Sequence, residues 1–272
     1  MHEWTLTRSF NFHGDPVRYD VFGEGLPTVL MHGTPFWSYE WRRIARAIGS
    51  THRVHVYDML GYGQSAKRAG QDVSLGVQNR LFTALLEHWR LKDPAVIAHD
   101  FGGATALRTH LLDGRDYEKL LLVDPVAIRP WGSPFVQHVR QHEAAFAGVP
   151  HYLQEAIVRA YLRTAMHRRL FDRELAPYVA PWLGEDGQPA LYRQIAQMDL
   201  KYTDEIEPLL GNIRCPVSIL WGEEDTWIPV GQGRKLHQMI PGSTFRTIPG
   251  AGHLVQEDAP EAIVAEIINF FS

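Results

Sequence analysis

Cysteine is almost absent: Cys215 is the one thiol in 272 residues. A single thiol excludes an intramolecular disulfide framework and fits a reducing compartment, so cytoplasm is the expected location. Excess positive charge is missing too. Lys and Arg total 27 against 31 Asp and Glu, a formal net charge of −4, which leaves no basic footprint for nucleic acid. No apolar run approaches the roughly 18 residues of a membrane span. Met1-His2-Glu3-Trp4 lacks a basic region followed by an apolar one, so no secretory signal is expected. No internal repeat and no low-complexity stretch is found. What remains is a chain 45% hydrophobic and 21% charged. It is large enough for one α/β domain or for a core with an inserted subdomain.

Residues 4–12 and 17–22 alternate polar and apolar side chains around Gly14-Asp15-Pro16, which predicts an antiparallel hairpin. Apolar runs at 27–31, 53–58, 94–98, 119–123, 216–221 and 244–248 predict buried strands. Helical spacing falls between them at 38–48 (with Ser38 as N-cap), 75–89, 104–112, 230–240 and 260–271. Alternating strands and helices imply a mostly parallel sheet. From 128 to 212 the strand signal stops. That stretch holds prolines, among them Pro130, Pro134, Pro150, Pro177 and Pro181, and helical spacing at 137–146, 151–166 and 191–198. The predicted organisation is an α/β core over 1–127, a helical cap over 128–212 and the rest of the core over 213–272. Ligands of open α/β sheets sit beyond the carboxyl ends of the strands. The strand ends at His32, Asp58, Asp100, Asp124 and Asp225, and the loop of His253, would meet there.

One stretch organises the rest, Val96-Ile97-Ala98-His99-Asp100-Phe101-Gly102-Gly103. It reads as strand, sharp turn, helix, with Asp100 at the apex between the small residues Ala98 and Gly102. This is the geometry of a nucleophile elbow, although the usual apex residue is Ser. Asp also caps helices well. Asp225, in Gly222-Glu223-Glu224-Asp225, follows the first strand after the cap, and His253, in Gly250-Ala251-Gly252-His253, follows the last strand. Nucleophile, acid and histidine in that chain order is the order of an elbow enzyme. Asp124, after the strand that follows the elbow helix, is the alternative acid.

Over nearly its whole length the chain resembles the α/β-hydrolase superfamily. The matching pieces are His32-Gly33-Thr34-Pro35, Asp58-Met59-Leu60-Gly61-Tyr62-Gly63-Gln64-Ser65, the elbow at Asp100, Gly222 to Asp225 and Gly250 to His253. Asp at the elbow is similar to the branch of epoxide hydrolases, haloalkane dehalogenases and fluoroacetate dehalogenases. The resemblance implies an eight-stranded, mostly parallel sheet with helices on both faces and an inserted helical cap. It implies no cofactor and no metal, and it makes a small apolar organic substrate and water the partners. A carboxylate is already ionised near neutral pH. It can attack a saturated carbon directly and form an ester, which His253 would then hydrolyse by activating water. The backbone N–H groups of Thr34 and Phe101 match the family's oxyanion hole.

The leaving atom divides the branch. An epoxide needs a proton donor, and Tyr192 resembles a cap tyrosine of epoxide hydrolases, with His151 or Tyr152 at the site of the second donor. A halide needs N–H donors. Dehalogenases usually place Trp after the nucleophile, where this chain has Phe101, while Trp37 resembles a dehalogenase subgroup and Trp131 or Trp182 could also serve. The positions that hold arginines in fluoroacetate dehalogenases are Phe101 and Ala104 here, which disfavours an anionic acetate. Epoxide opening is therefore the first expectation and C–halogen hydrolysis the second. Ester or lactone hydrolysis, or a non-enzymatic small-molecule receptor, comes third. A receptor needs no water-activating base, and retention of Asp100, His253 and an acid argues against it. His138 and His142 stand four apart beside Glu143, but the order of a zincin motif and a third ligand are missing, so they read as a solvated helix face.

Overall fold

The computed structural model describes residues 4–271. The chain forms β1 (Arg8–Phe12), β2 (Asp15–Phe22), β3 (Leu26–Met31), a 3-10 turn (Ser38–Trp41), α1 (Arg42–Ile48), β4 (His52–Tyr57), α2 (Leu75–Trp89), β5 (Ala95–His99), α3 (Phe101–Leu111) and β6 (Leu120–Val123). Helices without a strand follow: α4 (Pro134–Gln141), α5 (Glu143–Ala147), α6 (His151–Arg163), α7 (Asp172–Val179), α8 (Gly184–Ala196) and α9 (Lys201–Asp204). The pattern then resumes with β7 (Val217–Gly222), α10 (Val230–Met239), β8 (Thr244–Ile248), α11 (Val255–Asp258) and α12 (Pro260–Phe271).

The strands make one sheet of eight in the order β1-β2-β4-β3-β5-β6-β7-β8. Pairing is antiparallel as far as β2–β4 and parallel from there on. The central strands are buried on both faces, which is why they read as continuous apolar runs. Their side chains still alternate between two cores. Val29, Val96, Ala98, Leu120 and Leu122 join a core with Leu81, Phe82 and Leu85 of α2 and Ala104 and Leu107 of α3. Leu30, Ile97, Leu121 and Val123 join the opposite core with Ile44 and Ile48 of α1 and Ile263 and Ile267 of α12. Helices therefore cover both faces.

Register sets the site. Met31 pairs with Ala98, His99 with Val123, Val123 with Leu220 and Gly222 with Ile248. The residues just past these strands consequently emerge at one edge of the sheet.

Four local expectations differ from what forms. Ser38 caps nothing: Trp37 precedes the 3-10 turn, while the Ser38 amide donates to Asp58 Oδ1 and its hydroxyl accepts from Trp4. The helix expected at 137–146 is two, broken at His142 (φ −135°, ψ 33°), and it starts at Pro134 because Ser133 accepts from the Val136 N–H. The helix expected at 191–198 begins at Gly184, its first turn concealed by Gly184, Gly187 and Pro189. Helix α7 was not signalled, since Pro177 interrupts its pattern. Cys215 is partly buried, and burial pushes its thiol up to about 11, so it is poorly reactive. Among the described residues no helix is long and apolar enough to cross a membrane.

Candidate active site

Asp100 lies between β5 and α3 with φ 48° and ψ −113°, a conformation costly for a residue with a side chain. The crowding around it explains the small neighbours. A Cβ on Gly102 would lie 2.6 Å from the Met31 carbonyl oxygen, and one on Gly33 would lie 2.6 Å from Asp100 Cβ. Although Asp100 occupies the N-cap position of α3, its side chain makes no capping hydrogen bond. Oδ1 instead accepts from the Thr34 N–H at 2.7 Å. Oδ2 lies 3.3 Å from His253 Nε2. That contact is off-line for a hydrogen bond, so His253 Nε2 has no hydrogen-bond partner among the described residues.

His253 is fixed from its other side by Asp225, whose Oδ2 is 2.8 Å from Nδ1. The second oxygen of Asp225 accepts from the backbone N–H groups of Trp227 and Ile228, at 2.7 and 2.9 Å. Asp124 stands one strand closer to the elbow, just past the end of β6, at φ 42°. Its Oδ1 accepts from the Gly222 N–H at 2.8 Å, and its Oδ2 is buried without a partner among the described residues. One atom each of Asp124, Asp225 and His253 lies within 4.8 Å of the others. Such a trio could hold a cation, but His253 Nδ1 is already engaged by Asp225, which suits proton sharing better. His138 and His142 meet ring edge to ring face at 4.7 Å, and they belong to no such group among the described residues.

Burial opposes charge on all these groups, and their partners decide the outcome. His253 is held well above its ordinary value: burial lowers it, but the Asp225 carboxylate and then Asp100 outweigh burial. Asp100 is held below the usual carboxylate range: burial raises it, while His253 and, further off, His99 pull it down. Asp124 is pushed well above that range by burial and by the charge of Asp225, which favours its neutral form. These directions favour an ionised Asp100, a charged His253 and a neutral Asp124.

Asp100, Thr34 and Phe101 open on a small chamber whose other walls include Val126, Trp131, Tyr161, Met198 and Trp227. Its volume is about 30 Å3, room for no more than about two waters. An outer apolar groove of about 470 Å3 shares Ser133, Tyr161 and Trp227 with it. The Tyr161 and Trp227 rings stack at 4.6 Å with 8° between planes, and Trp227 lies 5.1 Å from the His253 ring.

The structure thus brings Asp100, His253, Asp225, Asp124, Thr34 and Phe101 together. Only Thr34 of the two oxyanion candidates donates to Asp100 among the described residues; the Phe101 ring packs edge-on against Trp131 at 5.7 Å. The cap candidates lie elsewhere. The Tyr192 hydroxyl donates to Gln154 Oε1 at 2.6 Å, His151 Nδ1 meets Gln188 Oε1 at 2.8 Å, and Tyr152 is 80% exposed. Trp37 donates its indole N–H to the Pro177 carbonyl, and Trp182 donates to that of Pro35. Trp131 and Trp227 line the chamber, but their N–H groups are spent on Thr203 and Thr164. Sequence reasoning missed Tyr161, whose hydroxyl is buried near Asp100. It also missed Gln194, whose Oε1 accepts from the Thr34 and Tyr62 hydroxyls and so ties α8 to the oxyanion turn.

Comparison with known proteins shows the family and the fold. The sequence model of the alpha/beta hydrolase family matches residues 28–266. The crystal structure of an alpha/beta hydrolase fold protein from Burkholderia ambifaria superposes with a TM-score of 0.96 at 53% identity, covering 98% of this chain and 99% of that one. Haloalkane dehalogenase 2 of Mycobacterium tuberculosis is 25% identical over 97% of this chain and 94% of its own. Cis-3-alkyl-4-alkyloxetan-2-one decarboxylase of Shewanella oneidensis is 23% identical over 96% of this chain and 86% of its own.

Proposed function

The chain belongs to the alpha/beta hydrolase family, and we propose that within it the protein opens a small epoxide to a diol through an ester on Asp100. One observation carries this reading. Asp100 has one oxygen held by the Thr34 N–H and the other free to face the chamber beside His253, and Tyr161 lines the same enclosure with its buried hydroxyl near Asp100 and hydrogen-bonded to the Ser133 side chain.

Oδ2 attacks an epoxide carbon, the ring C–O bond breaks, and the alkoxide takes the Tyr161 proton. Burial first, and then the charge of Asp100, hold Tyr161 well above its ordinary value, so it enters the reaction as a neutral hydroxyl. Ester formation neutralises Asp100 and removes the second of these causes, which makes Tyr161 a better acid as the alkoxide develops. The same loss of charge lowers His253, which releases its proton to bulk water, acts as a base in the next step, and takes a proton back from bulk water when Asp100 ionises again at the end of the cycle. His253 Nε2 takes a proton from water, and the water oxygen adds to the ester carbonyl carbon. Negative charge collects on Oδ1 against the Thr34 N–H, a donor worth roughly 3–4 kcal/mol where such groups have been tested. Collapse expels the diol oxygen, which takes the proton from His253. The proton left on Asp100 returns through water to Tyr161, so epoxide plus water gives diol. Asp225 orients and charge-stabilises His253; Asp124, one strand away and protonated, is the less suited of the two acids.

A halide needs N–H donors, and the chamber's two indoles are already engaged, which supports an oxygen leaving group. The chamber admits only a small reacting end, while the groove beyond Tyr161 and Trp227 has room for an apolar substituent. The decarboxylase relative acts on a strained four-membered oxygen ring, and an epoxide is a strained three-membered one. The dehalogenase relative favours C–halogen hydrolysis as the second reading, with the same ester on Asp100. Turnover of terminal epoxides and of 1-haloalkanes of matched length separates the two. Epoxides should react, and Tyr161→Phe should slow them about 100-fold. Haloalkane turnover with inert epoxides would replace the first reading by the second.

A further inference from the structure

The turn that carries the Thr34 N–H is held from both sides of the chamber. Its own backbone closes through the Phe36 N–H, which donates to the Gly33 carbonyl at 3.1 Å. The helices between β6 and β7 add contacts along residues 34–37. The Thr34 hydroxyl donates to Gln194 Oε1 at 2.7 Å, Trp182 donates its N–H to the Pro35 carbonyl at 2.6 Å, and the Trp37 N–H donates to the Pro177 carbonyl at 3.0 Å. The first of these falls on the residue whose amide holds Asp100. The Tyr62 hydroxyl, from the loop after β4, donates to the same Gln194 oxygen at 2.8 Å and lies 3.2 Å from the Thr34 hydroxyl. Thr34, Tyr62 and Gln194 are all buried. Were the Gln194 amide reversed, its Nε2 would donate to the same two hydroxyls and the tie would remain. Gln197, three residues on at the end of α8, accepts from the Val73 N–H at 2.7 Å and donates to the Gln71 carbonyl at 2.9 Å. Residues three apart share a helix face, so one face of α8 is seated on the loop after β4 and on the turn of Thr34.

From this geometry we infer that Gln194 is a positioning residue for the oxyanion donor: by fixing the Thr34 hydroxyl it aims the Thr34 N–H, and the step it serves is hydrolysis of the ester, not its formation. The choice of step rests on the ester at Asp100 proposed above, whereas the aiming of the amide does not. Charge explains the choice. As Oδ2 attacks, negative charge leaves the carboxylate, and the N–H on Oδ1 is worth less at the end of that step than at its start. When water adds to the ester carbon, its proton goes to His253, the carbonyl electron pair moves to Oδ1, and the same N–H meets a full negative charge. A donor accelerates the step in which its interaction grows. An amide left to swing therefore costs the second step and spares the first.

Gln194→Met keeps the length of the side chain and removes its amide, and two measurements on it keep aiming and chemistry apart. In protein labelled with 15N-threonine, the Thr34 amide signal is identified by its loss in Thr34→Val. In Gln194→Met the hydrogen exchange of that amide should quicken about tenfold more than those of Thr28 in β3 and Thr105 in α3. No quickening, or an equal one at all three, overturns the inference without reference to any substrate. With propylene oxide as probe, kcat and KM of Gln194→Met should fall together by about tenfold, a part of what loss of a whole donor costs. The ratio kcat/KM should stay within about a factor of two, because it reports the steps up to ester formation. Intact mass during turnover should show ester accumulating on Asp100. Thr34→Val should behave alike, and the double variant should lose no more than either, as two ends of one contact do. A fall in kcat/KM without accumulated ester would overturn the role in hydrolysis. Inert propylene oxide would count against the epoxide reading, and the exchange of the Thr34 amide would still decide whether Gln194 aims it.

Discussion

The strand-end loops and the helices between β6 and β7 face the same chamber, but they hold their polar groups in different ways. On the sheet side the anchors are backbone amides: Thr34 N–H on Asp100, Gly222 N–H on Asp124, and the N–H groups of Trp227 and Ile228 on Asp225. On the helical side the anchors are mostly other side chains: Tyr192 on Gln154, His151 on Gln188 and Trp131 on Thr203. A backbone anchor is fixed by strand register and turn geometry, so it survives exchange of almost any neighbouring side chain. A side-chain anchor changes with a single substitution. The sheet side therefore suits the ester chemistry common to many substrates, and the helical side suits the choice of leaving group.

Substitutions that strike one side and spare the other test this division. The largest effect should come from the sheet side. Asp225→Asn removes the acceptor that orients His253, and steady-state turnover of an epoxide should fall about 10,000-fold, with Asp124→Asn costing far less. Comparable losses from the two variants would mean that both carboxylates serve the histidine. The next effect belongs to the helical side: Tyr161→Phe should lose about 100-fold on epoxides, whereas Tyr192→Phe should stay within a factor of about two. If Tyr192→Phe costs as much as Tyr161→Phe, the chamber's walls are not the ones drawn here.

The smallest effect is on stability. Asp124 is raised in the folded chain, so above the ordinary carboxylate value the unfolded chain has released a proton that the folded chain keeps. Folding then takes up a proton, and stability falls as pH rises from that ordinary value through the folded one, by up to about 1.4 kcal/mol per pH unit. Asp124→Asn removes this slope. Its advantage in denaturant unfolding over the parent should grow from mildly acidic to neutral pH. A constant difference would show that Asp124 titrates normally.

The same contrast explains what could be read from the sequence. Asp100 was legible because a strand, an apex and two glycines leave one geometry open, and His253 because it ends the last strand's loop. Both acids were visible, but the choice between them lies in detail the sequence does not display. The Trp227 and Ile228 amides occupy one oxygen of Asp225 and leave the other for His253. The helical side misled because Tyr192, His151 and Tyr152 were picked by motif position rather than by face. Tyr152 and Tyr161 are nine residues apart on α6, about two and a half turns, and so lie on opposite sides. Tyr161 shares its side with the buried Val158 and Leu162, while Tyr152 points outward. That periodicity was available in the sequence. The hydrogen bonds that engage Tyr192 and the tryptophans were not, because they join residues up to 147 positions apart.

The central claim is an ester on Asp100, and one measurement bears on it most directly. His253→Gln, incubated with a reactive small epoxide and examined by intact mass and peptide mapping, should gain the mass of one substrate molecule on the peptide holding Asp100 while multiple turnover stops. Epoxide consumption by the parent enzyme with no adduct on Asp100 in His253→Gln would contradict the claim.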